Sequence, residues 1–196
     1  MKKENIELLI SWATITLAFS LVFSDNFLNI FSFLEALPIA AIGVGTGFVL
    51  HELAHKYVAI HYGAKAEFRA WRIGLILALV IPIVTFGSFV FAAPGAVYIF
   101  GKNISRKENG IISAAGPATN ILIALIFFVL MFAGLSDTLV NLCLNVVVIN
   151  LFLAMFNLIP VFPLDGSKVL AWNAVVWAVM FVPLALFNAL FVFRLF

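Results

Sequence analysis

Long apolar stretches dominate this sequence and limit the folds that it can adopt. A helix needs about 20 apolar residues to cross the hydrocarbon core of a bilayer. Six stretches approach or exceed that length: residues 6–24, 38–62, 74–92, 111–134, 139–159 and 168–194. Charged residues make up 10% of the chain, whereas a soluble domain carries about a quarter. We therefore predict an α-helical polytopic protein of a cell membrane, with about six transmembrane segments.

The composition also predicts a single domain and excludes several classes of function. Because 65% of the residues are hydrophobic, we expect one membrane domain over residues 1–196, with no appended soluble module. The net charge of +2 is too small to indicate a nucleic-acid partner. Cys143 is the single cysteine, which excludes a disulfide framework, and we expect it to be buried in a helix. The apolar run at the N-terminus lacks a small-residue cleavage site and is predicted to remain as the first transmembrane helix.

Basic residues predict the orientation of the chain. Besides the N-terminus, two connections are basic: residues 63–72 and 101–110. The positive-inside rule places all three on the cytoplasmic side, which conflicts with a single crossing by the stretch between the two connections. We therefore expect residues 74–100 to enter the membrane and return, with a β-hairpin around Pro94-Gly95 that pairs with a short strand at about 65–72. Such a membrane-associated element must be buried in protein or line a wet cavity, because lipid cannot satisfy irregular backbone.

Glycine and proline indicate where helices pack closely or break. Gly43, Gly45 and Gly47 are spaced like a phosphate-binding loop, but they lie within an apolar helix. We interpret them as a face for close helix packing. Pro183 leaves two alternatives open for the last apolar stretch, which is either one kinked span or two halves of a hairpin.

The motif His51-Glu52-Leu53-Ala54-His55 lies within the second apolar stretch. Residues four apart share one face of a helix, so the two imidazoles are placed to bind a single zinc ion. The glutamate occupies the position of the base that activates zinc-bound water in metalloproteases. Ionisable side chains are unfavourable in lipid, so their presence in an apolar stretch indicates a functional site. We predict metal-dependent hydrolysis of a peptide bond within the bilayer; the alternative, that the histidines only join helices by hydrogen bonds, leaves the glutamate unexplained.

Further polar residues are candidates for the same site. Two histidines leave a catalytic zinc short of one protein ligand, and Asp165 is the obvious carboxylate; the alternative is that it caps the following helix, with Gly166 easing the turn. Asn157 and Asn120 are candidates for stabilising an oxyanion through an amide N–H, or for binding backbone groups that a nearby proline frees. His61 lies on another face of the helix from the histidine pair and is interpreted as an interfacial residue.

Three motifs follow one another in the chain: His51-Glu52-x-x-His55, Gly116-Pro117-x-x-Asn120 and Asn157-x-x-Pro160-x-x-Pro163-Leu164-Asp165-Gly166. In this order, and within apolar segments, they resemble the membrane core of the site-2 proteases, over roughly residues 38–175. The resemblance implies an intramembrane zinc endopeptidase that cleaves single-pass transmembrane proteins. One zinc ion per chain would be held by three residues: His51, His55 and Asp165. Glu52 would be the general base, and Asn157 would assist the tetrahedral intermediate. Many members carry a PDZ or a CBS module, and we expect neither here.

The predicted mechanism is hydrolysis by zinc-activated water. Zinc lowers the pKa of a bound water toward about 7, and Glu52 takes its proton. A substrate helix must unwind before attack, because its carbonyl groups are hydrogen-bonded, and the extended segment would then add as a strand near residues 86–100. The rival hypothesis is a non-enzyme, either a membrane metal carrier or a catalytically silent scaffold for transmembrane partners. A carrier would spread polar ligands along a path and a scaffold would not need Glu52, so we favour the protease.

Overall fold

The computed structural model describes residues 3–24, 26, 29–90, 93–101 and 103–195. This part of the chain is mostly helical and contains one small sheet. The helices are α1 (Lys3–Phe23), α2 (Ile30–Val44), α3 (Leu50–His61), α4 (Arg72–Val84), α5 (Arg106–Leu130), α6 (Asp137–Asn157), α7 (Asp165–Trp172) and α8 (Ala174–Leu195). The strands are β1 (Lys65–Ala70) and β2 (Gly95–Phe100). A π-helical turn, Gly45–Val49, joins α2 to α3 without a break.

Four helical stretches among the described residues are long and apolar enough to cross a membrane. They are α1, the continuous 32-residue helix Ile30–His61, α5 and α6. By contrast, α4 has 13 residues and would be about 20 Å long, shorter than a hydrocarbon core of about 30 Å. In α8, the stretch whose side chains are described, Ala174–Ala189, is also a shorter apolar helix. The helical membrane architecture is thus confirmed, whereas the count of six full spans is not.

The second long helix begins earlier than the sequence suggested. The second apolar stretch was predicted to begin at residue 38, but α2 begins at Ile30. Asn29 caps it, because the Asn29 side chain accepts a hydrogen bond from the backbone N–H of Phe31 at 2.9 Å. Pro38 lies inside the helix, where it lacks the backbone N–H that other residues donate. The helix continues through this position despite the missing hydrogen bond.

The sheet confirms one part of the predicted β-element and corrects another. β1 pairs antiparallel with β2, from Lys65 opposite Phe100 to Ala70 opposite Gly95. The predicted hairpin around Pro94-Gly95 is wrong, because the described residues before this pair form no strand and β2 begins at Gly95. The N–H of Trp71 donates to the carbonyl of Pro94 at 2.7 Å. The segment that contains α4 therefore leaves the sheet and returns to it at the same end. At the other end of the pair Lys65 lies opposite Phe100, so the basic connection that contains β1 lies beside the start of the basic connection that follows β2.

Close packing between α6 and the α2–α3 helix places the helices around the site. A Cβ atom added at Gly43 would overlap the side chain of Ile149, and one added at Gly47 would press on Leu153. This confirms the interpretation of the glycines as a packing face. Cys143 lies buried on α6 as a free thiol, as expected.

The C-terminal apolar stretch breaks at a different place from the one proposed. The short helix α7 ends before Asn173, whose side chain accepts hydrogen bonds from the N–H groups of Val175 and Val176 and so caps α8. Pro183 lies inside α8. The chain makes no hairpin turn at Pro183, because the helix continues through it; the capped break at Asn173 divides this stretch.

Candidate active site

Two histidines and one aspartate meet where α3, α5 and α7 pack together. The Nε2 atoms of His51 and His55 lie 3.3 Å and 3.1 Å from Oδ2 of Asp165. The three ligand atoms lie within 4.8 Å of one another. The side chains are 5%, 9% and 12% exposed, respectively. The structure thus brings together the three residues that the sequence proposed as a metal-binding set.

The paired histidines are held by acceptors on α5. Their rings are 4.6 Å apart between centroids, one helical turn from each other on α3. The Nδ1 atom of His51 lies 3.0 Å from Oδ1 of Asn120, and that of His55 lies 2.7 Å from the carbonyl oxygen of Ile112. A carbonyl oxygen only accepts, so each Nδ1 donates its proton. Each Nε2 therefore keeps a lone pair directed at the cluster, as a metal ligand requires.

Asn120 orients His51, a role that sequence reasoning missed. Its side-chain nitrogen donates to the carbonyl oxygen of Gly47 at 2.9 Å, and its oxygen receives the His51 proton. The amide is fully buried, and both its oxygen and its nitrogen bind neighbouring groups, which fixes its orientation. Gly47 lies in the π-helical turn that directly precedes α3, and irregular turns of this kind often adjoin functional sites. The position of Asn120 in the Gly-Pro-x-x-Asn motif was the one available signal.

Asp165 is presented by the first turn of α7. The residue that precedes the helix is Leu164, so Asp165 is not its cap and its carboxylate is directed at the histidines. A Cβ atom at Gly166 would overlap the backbone of Leu158, which shows that only glycine allows α7 to begin so close to the end of α6. Lys168 was not singled out from the sequence, yet its Nζ atom lies 3.5 Å from Oδ1 of Asp165 and donates to the carbonyl of Pro163 at 3.1 Å.

Gly116 leaves the space beside the cluster open. A Cβ atom built there would lie 2.5 Å from Nε2 of both His51 and His55. Any side chain at this position of α5 would therefore occupy the region toward which both imidazole lone pairs point. The requirement for glycine here is steric and local to the site.

We expect Gly116→Ala to weaken zinc binding by about 10–100-fold, the range for residues that surround the ligands of a metal site. The added methyl group would displace both imidazoles from their positions. Zinc affinity would be measured by competition with a chelator in detergent. Ala118→Ser is the matched control, since it adds one heavy atom at an exposed position of the same helix. Equal zinc affinity in the Gly116 variant and the control would contradict the steric argument.

Glu52 lies beside the cluster without belonging to it. Its carboxyl interacts electrostatically with the three cluster residues and with the nearby backbone N–H of Val97 in β2. It is 8% exposed, and its Oε2 atom is buried without a hydrogen-bond partner in the described structure. A buried acceptor with no partner is unfavourable unless water or substrate supplies one. The arrangement suits a group that takes a proton from water at the cluster.

Asn157 and His61 lie outside the cluster. Asn157 is the last residue of α6 and donates from its side chain to the carbonyl of Leu153 at 2.9 Å, a bond within its own helix. His61 is exposed at the end of α3 and packs edge-on against Tyr62. The sequence had separated His61 from the other two histidines by its helical phase, and the structure agrees.

The residues of the cluster fit zinc. Two imidazole nitrogens and one carboxylate oxygen form a donor set that catalytic zinc uses, with the fourth position kept for water. Four ligands at about 2.0–2.1 Å in a tetrahedron lie about 3.3–3.4 Å apart, close to the 3.3 Å and 3.1 Å observed. Gly116 supplies room next to the two nitrogens. The cluster is therefore suited to bind one metal ion.

Known proteins resemble the chain along most of its length. The model of peptidase family M50 matches residues 39–140, just over half of the chain. A candidate zinc metalloprotease of Methanocaldococcus jannaschii is 45% identical over 184 residues, which are 93% of this chain and 91% of that protein. A candidate zinc metalloprotease of Bacillus subtilis is 29% identical over 154 residues, 70% of this chain and 69% of that protein.

Another zinc metalloprotease of M. jannaschii is 32% identical over 123 residues, 62% of this chain and 30% of that protein. No solved structure matches the chain with significance. The resemblance that the three motifs indicated is confirmed by these matches. The chain belongs to peptidase family M50, the site-2 protease family, and is a multi-pass membrane protein with the activity of a zinc-dependent protease.

Proposed function

We propose that this protease cleaves peptide bonds inside membrane-spanning segments, and that its substrates are single-pass transmembrane proteins. One observation carries the proposal: both histidines of the cluster lie within the continuous helix Ile30–His61, which is long and apolar enough to cross a membrane. His55 lies six residues before the end of that helix, about 9 Å along its axis. Reacting groups at this depth are accessible to a substrate that is itself in the bilayer. In this proposal residues 1–196 act as one catalytic domain, with its core at about 38–175.

The chain's own residues supply binding and proton transfer. His51, His55 and Asp165 would hold a zinc ion, which when bound would polarise the scissile carbonyl and make water acidic enough to lose a proton near neutral pH. Glu52, with one carboxyl oxygen unpaired, takes the proton of the attacking water and delivers it to the leaving amine. Burial of these side chains excludes bulk water, which strengthens each electrostatic interaction in the site.

The proposed activity is tested with purified protein in zinc-containing proteoliposomes. We expect cleavage of single-span substrates, with product ends that mass spectrometry places inside the apolar span. A chelator should stop the reaction and added zinc should restore it. Cleavage confined to extramembrane loops, or equally fast cleavage of unfolded soluble proteins, would contradict intramembrane proteolysis while leaving the zinc protease assignment intact.

Asn157 is proposed to stabilise the oxyanion. Its amide carries a second N–H besides the one that binds Leu153. We expect Asn157→Ala to lower kcat about 10²-fold, with a smaller change in KM, because an oxyanion donor acts in the transition state. Asn145→Ala is the control, since Asn145 makes the same bond to the fourth preceding residue, Asn141, on the exposed face of α6. Similar kcat values for the two variants would leave Asn157 with a structural role only.

The edge of β2 is proposed to receive the substrate as an added strand. In an antiparallel pair, alternate residues direct their N–H groups away from the partner strand. The N–H of Phe68 on β1 binds Glu4 of α1, so the N–H groups of Val97 and Ile99 on β2 also point away from β1 in the observed register. The N–H of Val97 is directed at Glu52, so the N–H of Ile99 is the one offered to an added strand. No third strand covers this edge in the described part of the chain. Because Val97 contacts Glu52, a strand added here would lie beside the general base.

We expect Ile99→Pro to lower kcat/KM about tenfold, the effect of one lost hydrogen bond of about 1.4 kcal/mol. Proline removes the outward N–H at position 99, and an edge strand tolerates it. Ile99→Ala is the control, because it shortens the side chain and keeps the N–H. Cleavage of the same transmembrane substrate is compared in both variants. Equal kcat/KM values would contradict strand addition at this edge.

The active-site opening and the N-terminus are proposed to face the cytoplasm. Lys56 near the end of α3 binds Glu4 near the start of α1 at 2.6 Å, and Lys65 lies opposite Phe100, the residue before the second basic connection. The positive-inside rule then favours this end as cytoplasmic. In a Cys143→Ala background, an impermeant maleimide should label Lys65→Cys in inside-out vesicles and Asp137→Cys in right-side-out vesicles. The opposite pattern would reverse the orientation.

A further inference from the structure

Two carboxylates of α1 close the outer edge of β1. Oε1 of Glu4 accepts a hydrogen bond from the N–H of Phe68 at 3.0 Å, and Oε2 of Glu7 accepts one from the N–H of Ala70 at 3.0 Å. Residues three apart lie on one face of a helix, which lets α1 reach two alternate residues of the strand. The side chains of α1 thus satisfy two outward N–H groups of this edge, as the backbone of a third strand would.

Glu4 also joins the sheet to the helix that carries the histidines. Both of its oxygens lie 2.6 Å from Nζ of Lys56, the residue that follows His55 in α3. The side chains of Lys56 and Glu4 are 21% and 14% exposed, so solvent screens this pair less than an ion pair on an open surface. One carboxylate therefore contacts α3 and β1 together and sets the position of the sheet relative to the metal-binding helix.

The edge that the substrate joins decides whether it reaches the site. Neighbouring strands lie about 4.8 Å apart, so a segment added to β1 would lie about 14 Å from one added to β2. The β2 edge is the one in contact with Glu52. A displacement of the sheet by about 1 Å is also harmful, because misplacement of this size lowers rates about 10²-fold.

We propose that Glu4 and Glu7 are positioning residues of this protease. They seal the outer edge of β1, reserve the edge of β2 for the substrate, and hold that edge at a set distance from the cluster through the link to Lys56. The inference rests on the proposed addition of the substrate to β2 and specifies how the chain directs the substrate to that edge.

The test is the rate and position of cleavage by the double variant Glu4→Ala/Glu7→Ala, loaded with zinc. We expect kcat to fall about tenfold or more while KM changes less than about threefold, and we expect mass spectrometry to find cuts at additional peptide bonds. Loss of stability alone would not add new cleavage positions. The variant Glu4→Gln/Glu7→Gln keeps oxygen acceptors for both N–H groups and should cut at the original bond. Glu35→Ala, an exposed carboxylate on α2, is the control.

Cross-linking separates this inference from the proposal beneath it. Glu67 and Tyr98 are cross-strand partners in β1 and β2. With Cys143→Ala, and with Glu52→Gln to keep the substrate intact, a cysteine in the substrate should form a disulfide with Tyr98→Cys and none with Glu67→Cys. Absence of the Tyr98→Cys product would show that strand addition itself is wrong.

A different outcome would contradict the positioning role of Glu4 and Glu7. If the Tyr98→Cys product forms while the double alanine variant cuts at the single original bond with kcat within about twofold of wild type, Glu4 and Glu7 do not position the substrate. Should the double variant lose zinc, Glu7→Ala alone keeps the bond between Glu4 and Lys56 and is measured in its place. Cleavage at an additional bond supports the positioning role, and cleavage at the original bond alone contradicts it.

Discussion

Replacing Glu52 with Gln is expected to lower kcat by about 10²–10⁴-fold, the usual contribution of a general base, while each chain keeps its zinc ion. Glutamine has nearly the same shape as glutamate but cannot take a proton from water. Glu52 lies outside the set of residues that can hold the metal, so the ion should remain. Cleavage in proteoliposomes and elemental analysis of the same sample give both quantities.

Glu35→Gln is the matched control for this experiment. It makes the same change at an exposed carboxylate in the same continuous helix, and wild-type activity is expected. Cleavage by Glu52→Gln within about tenfold of wild type would place the base elsewhere. Zinc flux across wild-type vesicles without any cleavage of membrane substrates would favour the metal carrier that the sequence left as a rival.

His55→Ala and Asp165→Ala are each expected to lose nearly all bound zinc, from about one ion per chain in the wild type to less than about 0.1. Each variant leaves two protein ligands, whereas catalytic zinc sites use three. Both residues also contact each other at 3.1 Å, so removing either one opens the cluster. Zinc is measured by elemental analysis after purification in detergent without chelators.

Two exposed residues serve as controls for the ligand variants. His61→Ala removes a histidine from the same helix, and Asp137→Ala removes a carboxylate from the start of α6. Both should keep their zinc. Loss of zinc in His55→Ala alone would remove Asp165 from the ligand set, and wild-type protein without zinc would contradict the proposed site as a whole.

Much of the site was predictable because its central feature depends on the geometry of one helix. A spacing of four residues places His51 and His55 on one face, and their rings lie 4.6 Å apart. Asp165 could be proposed from its motif, but its approach to the histidines depends on contacts between α7 and the end of α6, where Gly166 meets the backbone of Leu158. The family match confirms the overall assignment, and the ligand roles remain predictions.

The supporting contacts were not predictable, since they join residues that are distant in sequence. The hydrogen bond from His51 to Asn120 spans 69 positions, and the space at Gly116 is evident only once α5 packs against α3. An asparagine or a glycine in an apolar helix can have many structural roles. Which role it has depends on the helices that pack against it.

The small β-sheet was likewise predictable from the sequence only in part. Charge distribution predicted that the chain returns after residue 74, because two basic connections favour the same face of a bilayer, and the pairing of β1 with β2 shows such a return. The turn signal of Pro94-Gly95 was misread as the centre of a hairpin. β2 instead pairs with β1, and Gly95 is needed where the backbone of β1 approaches it closely.

By itself, the sequence determined the membrane class, the paired histidines and the chemistry of the metal site, because hydrophobic length and helical periodicity are local properties of a chain. The tertiary structure alone decided that Asn120 orients His51, that Gly116 leaves the site open and that α1 closes one edge of the sheet. These depend on which surfaces meet when helices pack, and that is a property of the whole fold.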